Sequence, residues 1–468
     1  MCGIIGVSGV PDASRVAYLG LYSLQHRGQE SAGIVAVDPA GDARLHRGMG
    51  LVSDVFAEDV LAGLAGDVAI GHTRYSTTGS SVLANAQPIL ANYRDGPLAL
   101  AHNGNLTNAD PLRADLVAKG SIFQTTSDSE VLIHLIARSE AREPEDQLLD
   151  ALERVEGAYS LVVTVGRTLY AIVDSRGFRP LWLGRLGNGG HVLASETCAL
   201  DLMGATPVRE IGPGEFLRIQ DGEVDRLPSL PAKPARRCIF ELVYFSRPDS
   251  TIFGRSVDRV RRALGRELAR EHPASGADCV FSVPDSSNAM ALGFAEEAGL
   301  KLEHALIRNH YVGRTFINPT QAARNAKVKI KFNPVREVLA GKNVVVVDDS
   351  LVRGTTSREL VQMIRQAGAV EVHFRLASAP ITGPCYYGID TPTRSELIAS
   401  SHSVEEIRRH LGVDTLGYLS LAGMRRAAGG DPAEFCDACF SGDYPTAIPG
   451  DVRGGARQLV PLQPALPV

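Results

Sequence analysis

Residues 343–368 read NVVVVDDSLVRGTTSRELVQMIRQAG, and the order of residue types in this stretch decides the architecture of the second half of the chain. Consecutive valines without polar alternation are the pattern of a strand buried on both faces, which a parallel sheet covered by helices provides. A Gly/Thr/Ser-rich turn follows, then an amphipathic helix. Strand, loop and helix in that order is α/β logic. The chemistry of the loop suits a phosphorylated sugar. Backbone N–H groups of Gly354, Thr355, Thr356 and Ser357, with their hydroxyls, can cradle a phosphate at the positive end of the helix. Asp348 and Asp349, at the carboxyl end of the strand, can accept hydrogen bonds from ribose hydroxyls while lying close to a magnesium ion. A metal-independent strand–helix unit is the bland alternative. No GxxxxGK[ST] occurs, which excludes a P-loop nucleotide hydrolase.

Working outward, DCVFSVPDSS at 278–287 reads as a second strand running into a loop. The 468-residue length exceeds one ordinary domain, so two separate cores are expected. Hydrophobic residues at 44% and charged residues at 22% are ordinary for a globular enzyme. A net charge of -5 gives no general reason to bind nucleic acid or an anionic membrane. No apolar run approaches the roughly 18 residues needed to span a bilayer, and the first residues do not form a signal peptide, so the cytoplasm is the expected location. Seven cysteines in such a chain argue against a disulfide framework and direct attention to nucleophiles or metal ligands.

The first half, to about residue 227, alternates β-rich runs such as CGIIGV, DVAIGHTRY, YSLVVTV and TLYAIVDS with helical segments. In TSDSEVLIHLIARS, Ser127 and Glu130 have capping-box spacing, which places Asp128 in the first turn of a helix. The stretch LPSLPAKPARR has neither helical nor strand period and reads as a linker. The expected division is residues 2–227, a linker at 228–237, a second domain at 238–450 and a proline-rich tail at 451–468.

The opening MCGIIGV places Cys2 directly behind Met1. Removal of Met1 would leave a thiol and a free α-amine on one residue, a nucleophile with its own base near neutral pH. A small buried residue at a strand start is the alternative. The runs QHRGQESAG (25–33), GHTRYSTTG (71–79), HNGNLTN (102–108) and TSDSE (126–130), together with CGIIGV, resemble the glutaminase domain of N-terminal-nucleophile (class II) glutamine amidotransferases. The resemblance implies an α+β, αββα-sandwich domain with Cys2 as nucleophile. It implies Asn103 and Gly104 as the oxyanion hole, Arg74 on the α-carboxylate of glutamine and Asp128 on its α-ammonium. The 344–357 run resembles the signature of type I phosphoribosyltransferases, an α/β fold, and implies that Asp348, Asp349, Arg353, Gly354, Thr355, Thr356 and Ser357 bind phosphoribosyl pyrophosphate (PRPP). VPDSSNAMALGF at 283–294 resembles the pyrophosphate-side loop, with Ser286 near the magnesium beside Asp348 and Asp349. RNHYVGRTFINPTQAARNAKVKIKF at 308–332 resembles the loop that closes over the substrate, and its bases Arg308, Arg314, Arg324, Lys327, Lys329 and Lys331 concentrate positive charge.

Joined, the two halves are similar to the amidophosphoribosyltransferase family, to which ELVYFSRPDS at 241–250 is also matched. The resemblance implies that glutamine is hydrolysed and its ammonia, kept unprotonated in a dry passage, attacks C1 of PRPP. The products would be 5-phosphoribosylamine, glutamate and pyrophosphate, in the first committed step of purine synthesis. From spacing alone the pair Cys436 and Cys439 suits zinc or iron–sulfur equally; the resemblance to one branch of the family implies that Cys238, Cys385, Cys436 and Cys439 hold a [4Fe-4S] cluster. Cys198 and Cys279 read as structural thiols. Members of that branch often carry a leader that must be cleaved, whereas here ordinary methionine removal would suffice. One Mg2+ per subunit, a homotetramer and feedback by purine nucleotides are further implications. A phosphoribosyltransferase-fold purine sensor without chemistry is the alternative from another class, and the retained Cys2, Arg74, Asn103, Asp128, Asp348 and Asp349 argue against it.

Overall fold

The computed structural model describes residues 1–75, 80–310, 330–391 and 393–448. Its first half is built on two antiparallel sheets. One has seven strands in the order Ala205–Glu210, Trp182–Leu186, His191–Ala194, Gly3–Ser8, Val68–Arg74, Ser31–Val37 and Ala43–Met49. The other has six, in the order Glu223–Arg226, Phe216–Gln220, Thr168–Val173, Gly157–Val165, Gly96–Leu106 and Ile89–Tyr93.

The layering follows from side-chain alternation along each strand. Ile4 joins Val35, Ile70, Ala99, Ala101 and Val162 in a core between the sheets. Its neighbour Ile5 faces the other way, into a core shared with Ala13, Ala17 and Leu21 of the helix Ala13–Ser23. On the second sheet Ala99 and Ala101 point inward, while Leu98 and Leu100 meet Val131, Leu132 and Leu135 of the helix Ser129–Arg138. Strands apolar on both faces therefore stack helix, sheet, sheet, helix, which is the αββα sandwich.

The second half holds a five-stranded parallel sheet in the order Lys301–Leu302, Cys279–Ser282, Asn343–Asp348, Glu371–Leu376 and Thr415–Tyr418. The valine run is its centre. Val345 and Val347 enter one core and Val344 and Val346 the other, so both faces are covered and no polar position is tolerated between them. Because strands of an open α/β sheet end at the ligand crevice, Asp348 and Asp349 emerge where the next helix, Thr355–Gln366, begins. No regular element lies between Arg226 and Arg237. Among the described residues no helix is long and apolar enough to cross a membrane.

Candidate functional site

Strand register brings the first set of residues together. Gly3 pairs with Thr73, so Cys2 lies beside the end of the strand that carries Arg74. The Cys2 backbone N–H donates to Asn103 Oδ1 across the gap between the sheets (3.2 Å), and its Sγ is 3.8 Å from the Tyr75 carbonyl oxygen. Asn103 is fully buried, and its Nδ2 has no hydrogen-bond partner among the described residues. Leaving a buried donor unsatisfied costs about 1–3 kcal/mol, a cost that an oxyanion formed at Cys2 would relieve. Gly104 has φ 153°, and a Cβ there would lie 2.0 Å from the Ala158 carbonyl oxygen. Only glycine fits.

Arg74 is buried and ion-paired with Glu30, and its Nη1 also reaches the Ser80 carbonyl (3.3 Å). Asp128 is buried at the N-cap of the helix Ser129–Arg138. It accepts a hydrogen bond from the Leu106 N–H at 2.9 Å, and its Oδ1 lies 3.3 Å from the Ser129 hydroxyl. The expected capping box is not formed. Glu130 turns back to accept the N–H groups of Gln124 and Thr125 (2.8 Å each), fixing the preceding turn instead, and Asp128 stands one residue before the helix rather than within it.

His72 Nε2 lies 3.2 Å from the His102 carbonyl oxygen, tying the sheet that begins at Gly3 to the residue before Asn103. Burial, with Arg74 nearby, pushes the His72 imidazole from 6.5 down to about 3. Between those pH values the unfolded chain binds a proton that the folded chain refuses, so stability falls as pH drops from about 6.5 toward 3. His72→Gln, which retains an N–H donor without titrating, is expected to flatten the acid limb of an unfolding titration. An unchanged limb would assign that limb to other groups.

Motif reading missed Arg27, although it stands inside QHRGQESAG. Its guanidinium is fully buried, donates from Nε to the Cys2 carbonyl (2.9 Å) and bonds both Glu196 and Glu241. Burial opposes ionisation of Glu196, yet His26 and Arg27 hold its carboxyl well below the usual range. Glu196, Glu241 and Arg179 were not singled out either. The available signals were Arg27 beside glycine in QHRGQESAG and Glu241 at the head of ELVYFSRPDS.

At the other end, Ser287 Oγ donates to Asp348 Oδ1 (3.1 Å), and Asp349 accepts from Ser350 Oγ (2.5 Å) and from the Ser286 hydroxyl. Burial raises both carboxyls above the ordinary aspartate range, and the charge of Asp349 raises Asp348 further. Gly354 takes φ 78° at the N-cap of Thr355–Gln366, a conformation that glycine adopts without steric cost. Thr355 and Thr356 are exposed at the helix start, Ser357 is buried, and Arg353 reaches Glu396 at 3.3 Å. Arg308 pairs with Asp285, and the Lys331 ammonium lies 5.0 Å from the centre of the Phe332 ring. Arg314, Arg324, Lys327 and Lys329 fall outside the described residues.

Cys238, Cys385, Cys436 and Cys439 line one small cavity with Arg179 and Tyr387. Two short strands, Arg237–Cys238 and Phe435–Cys436, pair in parallel and set Cys238 against Cys436. Burial pushes the Cys238 thiol up to about 11, and burial with the neighbouring thiols raises Cys436 and Cys439 well above the ordinary value. Among the described residues no group of three or more His, Cys, Asp or Glu side chains is arranged to hold a metal ion.

Comparison with known proteins finds relatives over nearly the whole chain. A glutamine amidotransferase domain model matches residues 72–202. Amidophosphoribosyltransferase 2, chloroplastic, of Arabidopsis thaliana is 52% identical over 456 residues, 97% of this chain and 81% of that one. The Bacillus subtilis amidophosphoribosyltransferase is 49% identical over 452 residues, 96% of this chain and 94% of that one. The chain belongs to the amidophosphoribosyltransferase family. Among solved structures, the glutamine PRPP amidotransferase from B. subtilis complexed with ADP and GMP superposes with a TM-score of 0.90 at 48% identity, covering 96% of this chain and 98% of that one. A structure described as the allosteric regulatory enzyme of purine biosynthesis gives 0.91 at 48% identity, covering 96% and 97%. Membership of the amidophosphoribosyltransferase family carries with it a glutamine-dependent pentosyltransferase activity, the first step of purine synthesis, and a glutaminase sandwich followed by a phosphoribosyltransferase domain.

Proposed function

We propose that Cys2, once Met1 is removed, is the glutaminase nucleophile and that Asn103 and Gly104 receive the oxyanion. The observation that carries this reading is the Asn103 amide. Its Oδ1 is held by the Cys2 backbone nitrogen while its buried Nδ2 donor has no acceptor among the described residues. The freed α-amine takes the thiol proton, and sulfur attacks the carboxamide carbon. The oxyanion accepts the Asn103 Nδ2–H and Gly104 N–H, donors worth a few kcal/mol because the charge exists only after attack. Collapse expels ammonia with a proton returned from the amine, and water then hydrolyses the thioester to glutamate. Arg74 and Asp128 hold the α-carboxylate and α-ammonium. Ammonia displaces pyrophosphate from C1 of PRPP, whose ribose hydroxyls meet Asp348 and Asp349 and whose 5-phosphate lies on Gly354 to Ser357, with Arg353 at the rim.

Two adjacent acids, Asp348 half-buried and Asp349 buried, both with raised carboxyls, are a donor set that fits magnesium. They do not form a cage, which suits an ion that keeps waters and substrate phosphates as ligands. Bound with Ser286, Asp348 and Asp349, it would neutralise pyrophosphate charge. Four thiols lining one cavity supply the number and type of ligands a [4Fe-4S] cluster takes, and its cationic core would stabilise buried thiolates. In the same reading the domain boundary lies at 228–237, the protein is a cytoplasmic homotetramer, and purine nucleotides inhibit it, as the ADP and GMP complex of the B. subtilis relative suggests.

The test incubates protein with glutamine, magnesium and PRPP and measures both products. Glutamate and pyrophosphate are expected in equal amounts; glutamate alone would overturn the coupled reaction. Protein purified without air is expected to hold about four iron and four acid-labile sulfide per chain. Colourless, iron-free and fully active protein would remove the cluster.

A further inference from the structure

The motif ELVYFSRPDS, residues 241–250, has no role in either half-reaction described above. Its start, Glu241–Phe245, is a turn of π-helix, a rare geometry frequently found at functional sites. By packing, the segment belongs to the phosphoribosyl half. Leu242 and Val243 lie in the core formed with the helix Val257–Glu271, and Arg261 of that helix donates to the carbonyls of Leu242 (3.1 Å) and Ser246 (2.8 Å).

Its acid turns the other way. Glu241 is fully buried and accepts two hydrogen bonds from Arg27 (3.1 and 2.8 Å), one from Arg179 (3.3 Å) and one from the Ser246 hydroxyl (3.0 Å). The remaining guanidinium nitrogen of Arg27, Nε, donates to the Cys2 carbonyl. One guanidinium thus joins the backbone of the nucleophile to a carboxylate from the opposite half. Glu196 closes the group, accepting from Arg27, from the Arg247 N–H (2.9 Å) and from Ser250 Oγ (2.7 Å). Arg27 and Arg179 balance Glu196 and Glu241, and loss of either acid leaves a buried charge without compensation.

We propose that Glu241 is a positioning residue for Cys2, acting through Arg27. The inference rests on Cys2 being the nucleophile. A paired carboxylate fixes the plane of the guanidinium, and that plane fixes the Cys2 carbonyl and with it the aim of amine and sulfur toward Asn103. The glutaminase site is therefore completed by a residue of the phosphoribosyl half.

Glu241→Gln in the full chain keeps the shape and removes the charge. The kcat of the glutamine-dependent reaction is expected to fall ~10–100-fold, the scale of a small misplacement of reacting groups. The KM for glutamine is expected to stay within about threefold, because Arg74 and Asp128 are untouched, and the ammonia-dependent rate is expected to be unchanged. If Glu241→Gln does not fold, Glu241→Asp is read by the same split. Equal loss of both activities, an effect confined to KM, or an unaltered kcat would each overturn the proposal. Cys2→Ala is measured alongside. If it still uses glutamine, the nucleophile assignment fails; if it does not and Glu241→Gln is normal, only the role of Glu241 falls.

Discussion

Replacing Cys2 by alanine is expected to lower glutamine-driven synthesis at least ~10⁴-fold and to leave synthesis driven by added ammonia within about twofold of the original rate. Cys2 is buried at the end of the sandwich, and the described side chains bonded to its backbone, the Asn103 amide and the Arg27 guanidinium, are not nucleophiles. Alanine keeps the backbone nitrogen that bonds Asn103 Oδ1, so the proposed oxyanion site retains its geometry and only the proposed attacking atom is lost. The phosphoribosyl site, built from the ends of a different sheet, keeps all its residues. The measurement is phosphoribosylamine formation with glutamine and, separately, with ammonium salt at a pH where some ammonia is unprotonated. Loss of both activities would mean that the two chemistries are not separable.

Asp349→Asn should give the opposite pattern, lowering both rates together by ~10²–10³-fold, equivalent to about 3–4 kcal/mol. Asp349 is buried and receives the hydroxyls of Ser350 and Ser286. The substitution retains the size of the side chain but turns one acceptor into a donor facing those hydroxyls, and it removes one of the two negative charges available to a cation. Glutamine hydrolysis without PRPP should persist, since Asn103, Arg74 and Asp128 lie in the other half. A fall in the glutamine-driven rate alone would contradict the assignment of Asp349 to the sugar phosphate. Together the two variants separate the half-reactions from both directions.

Features encoded over a few consecutive residues were legible before any coordinates. The valine run, the acids that end it, the Gly/Thr/Ser-rich turn at 354–357 and the β-rich run CGIIGV each report a local pattern or a local steric demand. Those demands are met wherever the segment sits. The capping box at Ser127 and Glu130 was misread for the same reason: the spacing was right, but the Gln124 and Thr125 amides competed for the carboxylate and won.

Polar partnerships across the molecule carry no such signal. Arg74 with Glu30, His72 with the His102 carbonyl, and Arg27 with Glu241, 214 residues apart in the chain, are pairings that no period predicts. The convergence of Cys238, Cys385, Cys436 and Cys439 on one cavity required two β-strands to pair in parallel. Secondary structure and the candidate reactive groups were written in short-range pattern, because backbone sterics and amphipathic spacing act over a few residues. Which buried charge faces which, and what the Cys2 backbone bonds to, depended on the packed chain. Desolvation makes an unpaired charge costly only once folding has excluded water from both partners.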